Sequence, residues 1–419
     1  MSSGAQRGTT RAAVEAVWRI EAAKVVAVLT RSLGDLDAAE EAAQDALVQA
    51  LEQWPETGVP RNPGAWLTTV ARRRAVDVWR RRSRLEGHVV ELGHALDAEP
   101  VEGPEEMAAE PIKDEVLRLM FIACHPVLPR PSRVALTLRL IGGLSTEEIA
   151  RAYLVPSTTM GQRISRAKGT LSDAGVPFEL PEPAEFGARL EAVLEVLYLV
   201  FNEGYAASAG ADWMRPGLCR EALRLGRVLA ALLPRESEVH GLLALMELQM
   251  SRFAARLDQA GAPVLLPDQD RSRWDRSAIV RGRSELAVAR RLAAESGPYL
   301  LQAALAECHA VARTADATDW PRIVSIYDEL LRRTPSPVIE LNRAVAVAMA
   351  GDPAAALAVV DALGLRQTLR GHHLVAGVRA DLLARLGRES ESRAEFARAA
   401  VLTANERTKA LLLARAALG

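Results

Sequence analysis

"LTLRLIGGLSTEEIARAYLVPSTTMGQRISRAKGTL", residues 136–171, contains two short helical patterns separated by a punctuated turn. Gly142-Gly143 ends one helix, Ser145 is a good N-cap, and Glu148 three residues on completes a capping box. Ile149, Ala152 and Tyr153 or Leu154 give the next helix its buried side, and the turn falls at Leu154–Pro156. Pro156 and Ser157 start another helix, in which Met160, Ile164, Ala167 and Leu171 form an apolar stripe. Its opposite face carries Ser157, Thr158, Thr159, Gln162, Arg163, Arg166 and Lys168. Such a pair is what a DNA-reading helix-turn-helix requires, with N-terminal residues at base edges and arginines on phosphates. An ordinary helical hairpin with a solvated face shares the pattern, so the reading needs a second observation.

That observation lies upstream. "WLTTVARRRAVDVWRRRSR", residues 66–84, holds seven arginines, two tryptophans and one acid, Asp77. The chain as a whole carries 52 Lys+Arg against 53 Asp+Glu. Asn62-Pro63-Gly64 starts a helix whose core contacts are Trp66, Leu67, Val70, Ala75 and Val78. Arg72, Arg73, Arg74, Arg80, Arg81, Arg82 and Arg84 cannot all pair with Asp77, so the remainder face water or an anion. Arginine suits bidentate phosphate contacts, and neighbouring aromatics suit stacking on single-stranded bases.

Around these segments the chain reads as almost entirely helical, an all-α fold. Residues 35–56 contain seven acids and no base, and residues 97–115 hold eight acids, one lysine and three prolines. The latter stretch reads as an acidic linker. We divide the chain into 1–86, the linker 87–112, the helix-turn-helix domain 113–176, and an extension 187–419 beyond the break "GVPFELPEPAEF". In the extension, TDW (318–320), GDP (351–353) and GRE (387–389) each open a helix, at intervals of 33 and 36 residues. The spacing is close to the tetratricopeptide period. Cys124, Cys219 and Cys308 stand far apart, without metal-ligand or disulfide spacing, which fits a reducing cytoplasm. No apolar run reaches membrane-spanning length.

The two motifs together resemble a known family. "GDLDAAEEAAQDALVQALEQWP" followed by "NPGAWLTTVARRRAVDVWRRR" is similar to region two of a bacterial RNA polymerase sigma factor of the extracytoplasmic-function group. "LPRPSRVALTLRLIGGLSTEEIARAYLVPSTTMGQRISRAKGTL" is similar to region four. "YLVFNEGYAAS" (198–208) and "LLPDQDRSRWDR" (265–276) resemble signature segments of a subgroup with tetratricopeptide-like repeats. The resemblance implies a promoter-specificity subunit without catalysis or cofactor, partnered by core RNA polymerase and promoter DNA. It assigns Trp66, Arg72, Arg73, Arg74, Asp77, Arg80 and Arg81 to the minus-ten element, and the polar face of 157–168 to the minus-thirty-five element. It makes Gln44, Asp45 and Gln49 contacts to the polymerase, whose β′ clamp helices and β subunit are the expected docking partners. Two positions depart from the family. Arg73 stands where an Asn associated with a flipped-base pocket is usual, and Gly161 stands where a longer polar side chain is usual.

No nucleotide-loop, serine-hydrolase or zinc-protease motif is present. In "DQDRSRWDRS" (268–277), a calcium loop begun at Asp268 fails, because position six is Arg273 and position twelve is Ile279. Asp268, Asp270, Arg271, Arg273, Trp274 and Asp275 read instead as an internal salt-bridge network or a regulatory docking surface, and the size of the extension with this charged segment leads us to expect intramolecular contact between the extension and the sigma domains. The competing assignment is a helix-turn-helix regulator whose repeats sense a ligand or peptide. It leaves the acidic helix and acidic linker without a role.

Overall fold

The computed structural model describes residues 3–86, 109–207, 213–259, 261–364 and 373–417. Residues 87–108 of the linker lie outside them, but 109–112, assigned above to the linker, already belong to a helix. Among the described residues the secondary structure is helical throughout, apart from a single β-bridge between Leu257 and Pro263. The chain forms two compact units, Met1–Leu199 and Val200–Gly419. Their division falls inside a helix, Pro183–Tyr205, and not at residue 187.

The first unit begins with α1 (Ser3–Leu33), α2 (Leu36–Thr57) and α3 (Pro63–Glu86). Asp35 caps α2 by accepting from the N–H groups of Asp37 and Ala38, and Gly58 ends it with φ +80°. Alanines at 39, 42, 43, 46 and 50 let α2 pack closely, and Trp54 closes the face. Trp66 of α3 meets Trp54 edge-on, with ring centroids 5.2 Å apart. Leu67, Val70 and Ala75 are buried as the spacing predicts, and Ala71 joins them. The side chain of Val78 lies outside the described residues.

Next come α4 (Ala109–Ala123), α5 (Arg130–Leu140), α6 (Thr146–Ala152) and α7 (Ser157–Asp173). The capping box forms as expected: Glu148 N–H donates to Ser145 Oγ, and Ser145 N–H donates to Glu148 Oε2. Met160, Ile164, Ala167 and Leu171 are all buried. Gly143, at φ +65°, brings the turn before α6 against α1, where an added Cβ would stand 3.3 Å from Ala22 Cβ. Ile149 is buried as predicted and Ala150 is buried with it, Ala152 and Tyr153 are half-buried, and Leu154 is not on the buried side at all. It adopts φ +53°, the one positive φ outside glycine among the described residues. Left-handed backbone costs a non-glycine residue about 1–2 kcal/mol. Helix α8 (Pro183–Tyr205) then returns along this layer. Phe186 meets Phe121 of α4 at 5.5 Å, and Arg189 donates to the Phe121 carbonyl.

The second unit begins with α9 (Pro216–Leu232), α10 (Ser237–Ser251), α11 (Arg276–Leu292) and α12 (Pro298–Val311), and Glu247 of α10 is buried. Glu247 of α10 accepts from Arg227 of α9 and Arg281 of α11, joining three helices through one carboxylate. Three helical pairs follow: α13 (Trp320–Arg333) with α14 (Pro337–Met349), α15 (Pro353–Gly364) with α16 (His373–Arg385), and α17 (Glu389–Leu402) with α18 (Glu406–Ala417). TDW, GDP and GRE mark the starts of α13, α15 and α17, as their spacing predicts. Leu357, Val360 and Leu363 pack with Leu382 and Leu383, while Phe396 and Ala400 pack with Leu412.

An added Cβ on Gly161 would meet only Thr146 Cγ2 of α6, at an ordinary 3.8 Å. The position faces the neighbouring helix, with room for a methyl group. Gly161→Ala will stabilise the protein by about 0.5–1 kcal/mol through helix propensity. Chemical denaturation checks this, and a loss of stability would show that the α6–α7 contact is tighter than 3.8 Å allows.

Candidate nucleic-acid interface

α7 separates its residues cleanly by face. Ser157, Thr158, Thr159, Gln162 and Arg166 are exposed, opposite the buried stripe, and Arg163 is half-buried between them. Pro156 is the N-cap and supplies no side-chain acceptor, so the first turn is not closed off by a capping oxygen. Uncapped N–H groups and three hydroxyl side chains therefore share one helix end, a surface able to donate hydrogen bonds to phosphate or base edges.

Lys168 departs from the rest of that face. Its side chain is only 15% exposed, and its ammonium binds Asp37 and Glu40, at the start of α2, with the Glu40 contact at 3.0 Å. Glu40 is itself 8% exposed and accepts a 2.5 Å hydrogen bond from Arg139 Nε of α5. Burial would raise the Glu40 carboxyl, but Arg139 and Lys168 outweigh it and hold the group below the usual carboxylate range. Burial would lower Lys168, and Glu40 and Asp37 reverse that. Two further ion pairs join the same layers: Arg19 of α1 with Glu148 of the capping box at 2.7 Å, and Arg31 of α1 with buried Glu115 of α4 at 2.8 Å. The sequence reading missed this cluster. The signal available was the acid-only block 35–56, which needs a basic partner somewhere in the chain.

On α3, Arg73 and Arg74 are exposed and Arg72 is half-buried. Asp77, Arg80 and Arg81 lie on α3, but their side chains are outside the described residues. On α2, Asp45 is exposed while Gln44 and Gln49 are half-buried. Val48 is 53% exposed between them, an apolar residue on an otherwise polar helix face.

The segment 268–277 is not a mutual salt-bridge network, and Asp268, Asp270, Arg273, Asp275 and Arg276 are exposed. Asp270 accepts from Ser272 N–H and Oγ–H, which holds its carboxyl below the usual range, and Asp275 caps α11. Arg271 donates to the His309 and Ala312 carbonyls at the end of α12, satisfying groups the helix leaves open. Arg273 donates to the carbonyls of Ala254 and Leu257. Trp274 is 3% exposed. Asp268, in a short 3₁₀ turn, is exposed. Arg271 and Arg273 thus direct their guanidinium groups at backbone carbonyls. Nearby, Arg256 is buried between Tyr205 and Trp213, 3.5 and 4.4 Å from the ring centroids. It also donates to the Tyr205 carbonyl, near the C-terminal end of α8.

Comparison with known proteins agrees with this geometry. Residues 19–85 match sigma-70 region 2, and residues 118–171 match sigma-70 region 4. The chain belongs to the sigma-70 family. Within it the chain is an extracytoplasmic-function-like sigma factor. Residues 189–290 match a family of unknown function, DUF6596, and both signature segments fall inside that match. An uncharacterized protein of Rhizobium meliloti is 45% identical over 383 residues, covering 91% of this chain and 90% of its own. A probable RNA polymerase sigma factor, RfaY, of Xanthomonas campestris is 28% identical over 150 residues, 35% of this chain and 36% of its own. No solved structure matches. No helix is long and apolar enough to cross a membrane, and no group of His, Cys, Asp or Glu is arranged to hold a metal ion, among the described residues.

Two outcomes follow from these contacts. Glu40→Ala leaves Arg139 and Lys168 without their shared anion and will destabilise the first unit by about 3 kcal/mol, read by denaturation. Glu40 contributes stability above its unfolded value of 4.5, lost as pH falls through its lower folded value. Lys168 contributes below 10.5, lost as pH rises through its higher folded value. The wild-type stability attributable to this cluster is therefore flat across neutral pH, and Glu40→Ala will remove the acid-side loss. Separately, Trp274→Ala will cost about 3–5 kcal/mol by cavity formation. A Trp274→Ala variant that keeps wild-type stability but loses activity would instead support the docking reading of 268–277.

Proposed function

We propose that this sigma factor directs core RNA polymerase to two-element promoters, with α3 holding the melted minus-ten strand and α7 reading the minus-thirty-five element. The observation that supports this most is the exposed face of α7, Ser157, Thr158, Thr159, Gln162 and Arg166, carried on the same chain as the arginine helix. On α3, Arg72, Arg73 and Arg74, with Arg80 and Arg81, supply phosphate contacts, and Asp77 and Trp66 shape their surface. On α2, Gln44, Asp45 and Gln49 dock on the β′ clamp helices, with Val48 as the apolar centre of that contact. The β subunit receives the region-four end. The protein works without cofactor, in the cytoplasm where polymerase and promoter are. The second unit regulates initiation by acting on the first. Lys168, held by Asp37 and Glu40, anchors α7 to α2 and so positions the reading face without itself being part of it.

Run-off transcription with core polymerase from a related bacterium tests this. The template is the promoter region upstream of the protein's own gene, with a scrambled control. Full-length protein will give a promoter-dependent transcript, and residues 1–199 alone will give a different yield. DNA binding without any transcript would favour a helix-turn-helix regulator. Arg80→Ala with Arg81→Ala will weaken promoter opening more than core binding. Promoter affinity will fall steeply with salt, since each phosphate contact releases counterion.

A further inference from the structure

The turn between α6 and α7 is a Schellman motif with an unusual occupant. Leu154 N–H donates to the Arg151 carbonyl, and Val155 N–H donates to the Ala150 carbonyl. These are the two bonds that define the motif, and they put Leu154 at the position that glycine ordinarily fills. Leu154 holds φ +53° there, with a branched side chain that glycine would not have to accommodate. Burial does not compensate the strain, because Leu154 is 56% exposed. A residue that costs conformational energy and gains no packing in the free protein is a candidate for contact with something outside it.

We propose that Leu154 is a promoter-contacting residue, packing its side chain on a thymine methyl group at the edge of the sequence α7 reads. The proposal rests on α7 being the promoter-reading helix and adds a specificity element in front of it. Three features favour DNA. Leu154 lies three residues before Ser157, at the end of α7 where Ser157, Thr158 and Thr159 are exposed. A recognition helix presents that end to the base edges, so the preceding turn sits at the groove. The thymine methyl is the one apolar group the major groove offers, and an apolar side chain is what reads it. Against a protein partner, Leu154 is isolated: no other large apolar residue of α5, α6 or α7 is strongly exposed. A protein-docking surface needs a patch.

The experiment uses full-length protein assembled with core polymerase, on a fragment from which the wild type initiates. Each thymine of the minus-thirty-five element is replaced in turn by deoxyuridine, which removes only the methyl group. Leu154→Gly relieves the backbone and removes the side chain. Leu154→Ala shortens the side chain and keeps the strained backbone. The triple variant Ser157→Ala, Thr158→Ala, Gln162→Ala is the control for α7 itself. Leu154→Gly will melt at or above the wild-type temperature, yet both Leu154 variants will bind the fragment about tenfold more weakly, with unchanged affinity for core polymerase. One deoxyuridine will weaken the wild type about fourfold and leave both variants indifferent. Leu154→Gly with wild-type promoter affinity, or a loss confined to core-polymerase binding, overturns the proposal. If the triple variant loses promoter binding while Leu154 variants do not, Leu154 alone is refuted. If the triple variant also binds normally, α7 does not read the promoter and the proposal falls with that reading.

Discussion

The first unit depends on one buried carboxylate. Glu40 sits at the start of α2, nearly out of contact with water, and two cations from different helices converge on it. A lone buried charge is costly, and here the cost is offset by a guanidinium and an ammonium with good geometry. Because Arg139 comes from α5 and Lys168 from α7, the same carboxylate that stabilises α2 also positions the helix-turn-helix layer. Gly143 completes the arrangement sterically, letting the turn before α6 lie on α1. Arg19 then reaches the capping-box acid Glu148, so the start of α6 is bound from within and from α1.

The second unit uses charge differently. Several of its arginines are directed at backbone oxygens and not at carboxylates. Arg271 closes the end of α12, Arg273 holds the loop after α10, and Arg256 lies between two aromatic rings while bonding a carbonyl. Five donors in a rigid fork make arginine suited to such sites. Glu247 and Glu238 act in the complementary sense. Glu247 accepts from two arginines, and Glu238 accepts from the N–H groups of Tyr299 and Leu300 to cap α12. Gly297 leaves room for that carboxylate, which an added Cβ would strike.

Local signals were legible in the sequence because the forces behind them are local. The buried stripe of α7, the Ser145–Glu148 box and the helix starts at TDW, GDP and GRE all depend on residues within a turn or two. The family regions were legible too, through residue patterns at 19–85 and 118–171. What escaped were partners far apart in the chain. Lys168 looked like one more cation on a polar face, and only the fold brings Asp37 and Glu40 beside it. Asp270, Arg271 and Arg273 suggested mutual pairing, but backbone carbonyls are invisible to composition. Leu154 was counted as a possible core residue by its spacing, and its backbone conformation turned it outward.

The shared carboxylate at Glu40 also constrains how such a chain can diverge. Changing the sign of residue 40 would place a third cation beside Arg139 and Lys168, and an uncharged residue there would leave both without their shared anion. Replacing Arg139 or Lys168 alone removes part of the compensation that makes burial of the acid tolerable. Positions 40, 139 and 168 therefore form an inheritance unit that crosses two family regions, and a chimaera joining region two of one relative to region four of another will fold well only when the three arrive as a matched set.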